Sequence, residues 1–127
     1  MEYCYFVLKP NGEVIIMYQP NKEFDFKTLQ KGVGGYIEIV RPVQFIKVLG
    51  DHDLRMIVDD EGKLKGKPVN KIASLMYSPF DIIVGDAILC TEIMTDEGPD
   101  VGLFHGSEIF HIIRYIKKIC PQAAFIN

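Results

Sequence analysis

The sequence lacks the patterns that most directly announce chemistry. No C-x-x-C pair occurs, and the three cysteines, Cys4, Cys90 and Cys120, are an odd number with no close spacing, which removes the geometry of a structural zinc site or a thioredoxin-like dithiol. No G-x-S-x-G elbow, no GK[ST] and no helical pair of histidines four apart is present. Basic residues do not predominate: 14 Lys and Arg stand against 17 Asp and Glu, a net charge of −3. Nucleic acid is therefore not the expected partner, since such binding draws on phosphate neutralisation. No apolar run approaches the ~20 residues of a membrane span. The opening "MEYCYFVLKPNG" carries an acidic second residue and an apolar run broken early by Pro10, unlike a signal segment. Inert thiols in a reducing cytoplasm are the expected setting.

What remains is an ordinary globular balance, 48% hydrophobic and 24% charged over 127 residues, which predicts one domain with no need of staples. "EYCYFVLKPNGEVIIMYQP" predicts a β-hairpin turning at Asn11-Gly12. Both faces of its first strand are apolar, so that strand should be covered on both sides, by a helix or by a second subunit. "EFDFKTLQKGVGG" predicts a short helix with Asp25 as N-cap and with Phe26, Leu29 and Val33 on one face. The strand "YIEIV" follows.

The glycines of "KGVGG" therefore end a helix. Phosphate-cradling loops run strand, glycines, helix, so that the positive helix N-terminus faces the anion. Here the order is reversed and the negative helix end would repel phosphate.

"VQFIKVL" and "LRMIVDD" predict two strands around the turn 50–53, and "DDEGKLKGKPVN" a turn-rich stretch. Asn70 is the expected N-cap of "KIASLMY", with Ile72, Leu75 and Met76 inward. "DIIVGDAILC" predicts a strand interrupted by a bulge at Gly85-Asp86, "TDEGPDVG" an acidic loop, and "SEIFHIIRYIKKICP" a helix over 107–119 capped by Ser107 and stopped by Pro121. There is no repeat and no low-complexity segment. The order predicts an α+β fold: a largely antiparallel sheet with helices packed on one face and a long C-terminal helix.

The C-terminal helix carries an apolar stripe, Ile109, Ile112, Ile113, Ile116 and Ile119, and a second face with His111, Arg114, Tyr115 and Lys118. That second face reads either as a site for an anionic, nucleotide-like ligand, with Tyr115 stacking on a base, or as a solvated face complementing the helix dipole. His52 lies between two aspartates in a turn, a pattern that rarely converges on one ion. No metal, cofactor or catalytic residue is assigned, and enzymatic activity is the least supported class.

Three blocks, "LQKGVGGYIEIV" (29–40), "MIVDDEGKLKGKPVNKIASLMY" (56–77) and "DIIVGDAILC" (81–90), resemble a family of small proteins filed as a domain of unknown function and carried by bacteria, their phages and plasmids. The resemblance covers a core of about 24–90 and leaves out the insertion 41–53 and the helical tail. It implies no catalytic mechanism. Its glycines, Asn70 and apolar positions read as architecture, leaving Tyr36, Glu38 and Asp86 as a candidate polar cluster, with a buried hydrogen-bond network as the alternative. The resemblance implies a non-catalytic accessory protein of a mobile element that binds a host protein and inhibits a defence factor. A homo-oligomer is expected, and a nucleotide-sequestering protein is the other reading.

Overall fold

The computed structural model describes residues 3–23, 26–42, 47–49 and 52–126. Asp25, the expected helix cap, and most of the insertion 41–53 lie outside the described residues or have undescribed side chains, as does the side chain of His52.

Strands β1 (Tyr3–Leu8) and β2 (Glu13–Gln19) form the expected hairpin, with Leu8 opposite Val14. Gly12 turns it at φ +91°, a conformation that a side chain would strain. Helix α1 (Phe26–Val33) leads to β3 (Ile37–Val40), β4 (Lys47–Leu49) and β5 (His52–Asp59). Helix α2 (Lys71–Tyr77) precedes β6 (Ala87–Thr95), β7 (Gly98–Gly102) and β8 (Phe104–His105). A 3-10 turn, Gly106–Glu108, then opens into α3 (Ile109–Ile119), and β9 (Ala124–Ile126) closes the chain. The sheet runs β3-β5-β6-β1-β2-β9, with β4 on β5, β7 on β6 and β8 on β1. All of its pairings are antiparallel except β2 with β9.

The α+β class, the largely antiparallel open sheet and the C-terminal helix are as expected. The helices do not share one face, however. Leu8, Phe6, Met56 and Leu89 pack with Ile72, Met76, Ile112 and Ile116 of α2 and α3, whereas Tyr5, Ile57, Ile88 and Cys90 pack with Leu29 and Val33 of α1. The reason lies in the strands: consecutive residues of β1, β5 and β6 are both apolar, so each face needs its own cover. The chain itself supplies the two covers expected over β1.

Three local expectations change. Gly85 and Asp86 precede β6 rather than interrupting it, with Val84 only bridging to Val69. The stretch 95–102 is a hairpin, not a loop: Thr95 pairs with Gly98, and Pro99 is accommodated in β7, whose outer side carries no described strand. Ser107 does not cap the last helix: it lies within the 3-10 turn, which His105 caps, its N–H donating to Glu108 Oε1 at 2.8 Å, and the N-cap of α3 is Glu108.

Candidate functional site

The end of α1 gathers several polar contacts around a shielded charge, Asp59. The N–H groups of Gly34 (φ +81°) and Gly35 both donate to the Gln30 carbonyl, closing the helix as glycine permits. The carbonyls of Val33 and Gly34 remain, at the negative end of the helix dipole. Lys67 Nζ donates to the first at 2.6 Å and Lys65 Nζ to the second at 3.0 Å. Both ammonium groups also meet the carboxylate of Asp59, at 2.6 and 2.8 Å, and that carboxylate accepts from the Glu61 N–H at 2.9 Å. Burial alone would raise the Asp59 pKa; the hydrogen bonds from Lys65, Lys67 and Glu61 outweigh it and hold it at about 2.

The glycines of the motif blocks are packed against this clamp. A Cβ on Gly35 would lie 2.3 Å from Lys65 Nζ and 2.9 Å from Asp59 Oδ1, and one on Gly85 2.8 Å from Lys67 Cδ. Asn70, fully buried, ties the next segments together. Its Nδ2 donates to the carbonyls of Leu8 and Gly85, each at 2.8 Å, while its Oδ1 accepts from Ala73 N–H as the cap of α2. These motif positions therefore build a scaffold. Their product is the surface that the scaffold holds up, made of the 60–64 turn and the 78–84 loop.

Two adjoining grooves occupy that surface. One, of about 210 Å³, is lined by Glu38, Val40 and Val58 of the sheet and by Asp60, Leu64 and Ile82 of the loops, among others. Asp81 also lines it, paired with Lys63 at 2.6 Å, which holds the Asp81 carboxyl below the usual range. The other, of about 410 Å³, lies between α2 and the loop, lined by Val69, Leu75, Pro79 and Ile82. Around them the large apolar side chains face solvent: Leu64 is 86% exposed, Phe80 71%, Val69 55% and Ile82 52%. Leu75, expected inward, is also partly exposed, because Ala73 takes the buried position between Ile72 and Met76. A wider cleft of about 810 Å³ lies beside the β6–β7 hairpin and is lined in part by Lys22, Glu23, Met94 and His105.

The candidate residues read from the sequence do not assemble into one site. Glu38 lines the smaller groove, while Tyr36 is exposed and is not among the groove's lining residues. Asp86 is turned to Lys9, with which it pairs at 2.7 Å. On α3, His111, Arg114 and Lys118 are exposed, but Tyr115 is 5% exposed and sits in the core with Ile112 and Ile116. A ring in the core cannot stack on a base, so the nucleotide reading of that face loses its aromatic member. Burial pushes the Tyr115 hydroxyl pKa upward.

Among the described residues no group of three His, Cys, Asp or Glu side chains is placed to hold a metal ion. The three thiols are buried and unpaired in disulfides. Burial, and then the Glu108 charge, pushes Cys4 up to about 12, and burial pushes Cys90 upward despite Arg55. Arg55 itself is buried and paired with Glu92.

In the sequence Asp59 reads only as part of the acidic run 59–61, a solvated turn, and the alternating Lys65 and Lys67 carry no signal of a shared side, because residues 60–66 form turns rather than a strand. Phe80 carries no periodic signal, and Ile82 and Ile83 fall in the expected strand 81–90, whereas the strand begins at Ala87 and Ile82 is exposed in the loop before it. No curated protein and no solved structure matches the chain. No helix is long and apolar enough to cross a membrane among the described residues. The motif blocks that build the Asp59 clamp and the Asn70 junction fall inside a family match over residues 6–107, which leaves α3 and β9 beyond it: the chain belongs to the family described as Domain of unknown function (DUF3846).

Proposed function

We propose that this protein acts by binding another protein through the surface centred on the 78–82 loop. One observation carries the reading: Leu64, Val69, Phe80 and Ile82 hold large apolar side chains in solvent around two adjoining grooves. Clustered exposure of this kind marks interaction surfaces. Burying one such side chain in an interface contributes roughly 1.5–3 kcal/mol, so two or three of them suffice as anchors. The partner we propose is a host protein, a defence factor among them, met by an accessory protein of a phage or other mobile element; this rests on the company that the resembling family keeps in genomes, not on any motif. Catalysis has no comparable support: among the described residues the perturbed groups are Asp59 and Asp81, two carboxylates paired with lysines, and buried thiols and phenols.

The test is site-specific photo-crosslinking from Val69 and Phe80 in cells of the native host, with His111 on α3 as the control position. A discrete adduct from the loop positions and none from His111 is expected. The partner identified from it should bind the purified protein at least tenfold more weakly after Phe80→Ser or Val69→Ser, with little change in Tm because both side chains are exposed. Adducts at twice the chain mass would overturn the host-partner reading in favour of self-association. Partner binding indifferent to both substitutions would remove the surface from consideration.

A further inference from the structure

Strand β3 is the outermost strand at its end of the sheet. Its residues Ile37–Val40 run opposite Asp59 to Met56, and Asp60 N–H donates to the Tyr36 carbonyl at 2.8 Å. Bonded residues alternate in an antiparallel ladder. Tyr36, Glu38 and Val40 therefore direct their backbone N–H and C=O groups to β5, whereas those of Ile37 and Ile39 point away from the sheet. Among the described residues no strand takes them up. Such edges are commonly blunted by proline or a bulge. Residues 37–40 contain no proline, and their register with β5 is unbroken.

We infer that the open edge of β3 takes up an extended segment of the partner protein, with an Arg or Lys side chain opposite Glu38 entering the smaller groove. The inference rests on the protein-binding reading above and specifies how the partner is held. Cross-strand neighbours project on the same face, with Cβ atoms about 4.5–5.5 Å apart. A partner residue opposite Glu38 consequently lies on the face that carries Glu38 and Val40, both of which line the groove.

The groove has the size and chemistry for that side chain. Its volume of about 210 Å³ falls below the roughly 300–1,000 Å³ typical of small-molecule sites. Val40, Val58, Leu64 and Ile82 offer apolar wall to an aliphatic stem. Among the described lining residues, Asp59 is balanced by Lys65 and Lys67, and Glu38, Asp60 and Asp81 stand against one lining cation, Lys63, which already pairs with Asp81. The partner residues on either side, opposite Ile37 and Ile39, project on the other face, where half-exposed Ile39 favours an aliphatic neighbour. Main-chain bonds supply affinity in this mode of recognition, and alternate side chains supply specificity.

The experiment is selection from a library of random seven-residue segments displayed on a monomeric carrier, followed by affinity measurement on the purified chain. Enriched segments should carry Arg or Lys between aliphatic residues. Their binding should fall at least tenfold on Glu38→Lys and on Ile39→Pro. The proline removes only an outward N–H, so Tm should stay near that of the parent; Glu38→Pro, which removes a bond to Val58, should lower it. Should Ile39→Pro fail to fold, Glu38→Lys alone decides. Segments without basic residues, or binding indifferent to Glu38→Lys, would overturn the inference. Phe80 does not line the groove, which separates the two readings: a crosslinked partner that is lost on Phe80→Ser but retained on Glu38→Lys and Ile39→Pro would refute the edge alone, whereas indifference to Phe80→Ser and Val69→Ser refutes the broader reading.

Discussion

Lys67 and Asp59 meet at 2.6 Å around a carboxylate with no solvent exposure, and the same ammonium group holds the last-turn carbonyl of Val33. One lysine thus joins the end of β5 to the end of α1. Lys65 repeats the contact one residue further along, on Gly34. Two cations against one carboxylate and the roughly half-unit negative charge of a helix C-terminus leave the cluster close to balance. A buried charge is tolerated on those terms, and removing one member leaves the others uncompensated.

The first prediction concerns acid stability. Asp59 titrates at about 2 in the folded chain, against an unfolded value near ~3.9. Because the folded pKa is depressed, the contribution is fully present above pH ~4 and is lost as pH falls from there through about 2. Asp59→Asn should lower stability at pH 7 by about 2 kcal/mol and flatten the pH dependence between 4 and 2. Denaturant melts of both proteins across that range provide the check. Parallel acid limbs in the two would refute the assignment.

Gly34 and Gly35 should fail for different reasons. Gly34 sits at φ +81°, so Gly34→Ala adds backbone strain of about 1 kcal/mol, and its Cβ, 3.0 Å from Lys67 Nζ, asks only a small shift of that flexible side chain. Gly35 is not at positive φ, but its Cβ would enter the space of Lys65 Nζ and Asp59 Oδ1. Gly35→Ala should therefore displace Lys65, raise the Asp59 pKa and move the acid limb upward in pH. Acid titration of the two variants by circular dichroism separates strain from clamp loss.

Asn70 makes a prediction of opposite sign. Its Nδ2 meets two carbonyls in full burial, and its Oδ1 caps α2. Asn70→Asp keeps the cap but turns an acceptor toward the carbonyls of Leu8 and Gly85, so the new carboxyl pKa should be raised. Stability of that variant should fall as pH rises through that pKa, the reverse of the Asp59 effect. Asn70→Ala should cost about 2–3 kcal/mol at all pH values, for unsatisfied carbonyls and a lost cap. Paired melts at pH 4 and 7 decide; a steeper loss at pH 4 for Asn70→Asp would contradict it.

The thiols give a chemical readout of packing. Cys4, Cys90 and Cys120 are buried, and Cys4 and Cys90 are held toward the neutral form. Since only the thiolate reacts readily, a disulfide reagent at pH 8 should modify none of the three before unfolding and all three in denaturant. Fast stoichiometric reaction of a native thiol would show that the core around it opens.

Much of this fold is legible in the sequence because it is locally encoded. Asn11-Gly12 marks the hairpin, Asn70 marks a cap that its side chain makes, and Gly34 ends α1 with the positive φ that glycine permits. What is not legible depends on partners remote in the chain. Asp59 and Lys67 look like a solvated turn until the ends of α1 and β5 are placed together. β7 is masked by glycines and Pro99, which an outer strand tolerates, and β9 is only three residues long and is defined by its pairing with β2. At the candidate site, Glu38 was visible as a polar residue in an apolar strand. Phe80 and Ile82 were not, because exposure of an apolar side chain is a tertiary fact with no periodic signature.

Helix α3 shows the same limit and supports a final prediction. Its spacing placed Tyr115 with Arg114 and Lys118, but the helix turns Tyr115 into the core beside Ile112 and Ile116 and leaves Arg114 in solvent. The apolar stripe is therefore wider than the isoleucines alone, and the ring belongs to the core cluster that also holds residues of β1 and α2. Tyr115→Ala should cost about 3–5 kcal/mol, as for a large buried ring, and Arg114→Ala no more than about 0.5 kcal/mol, as for an exposed residue. Thermal melts of the two variants suffice as the check. Near-equal Tm values would return Tyr115 to the surface and revive the stacking role read from the sequence, because a ring free to leave the core would be available to a base.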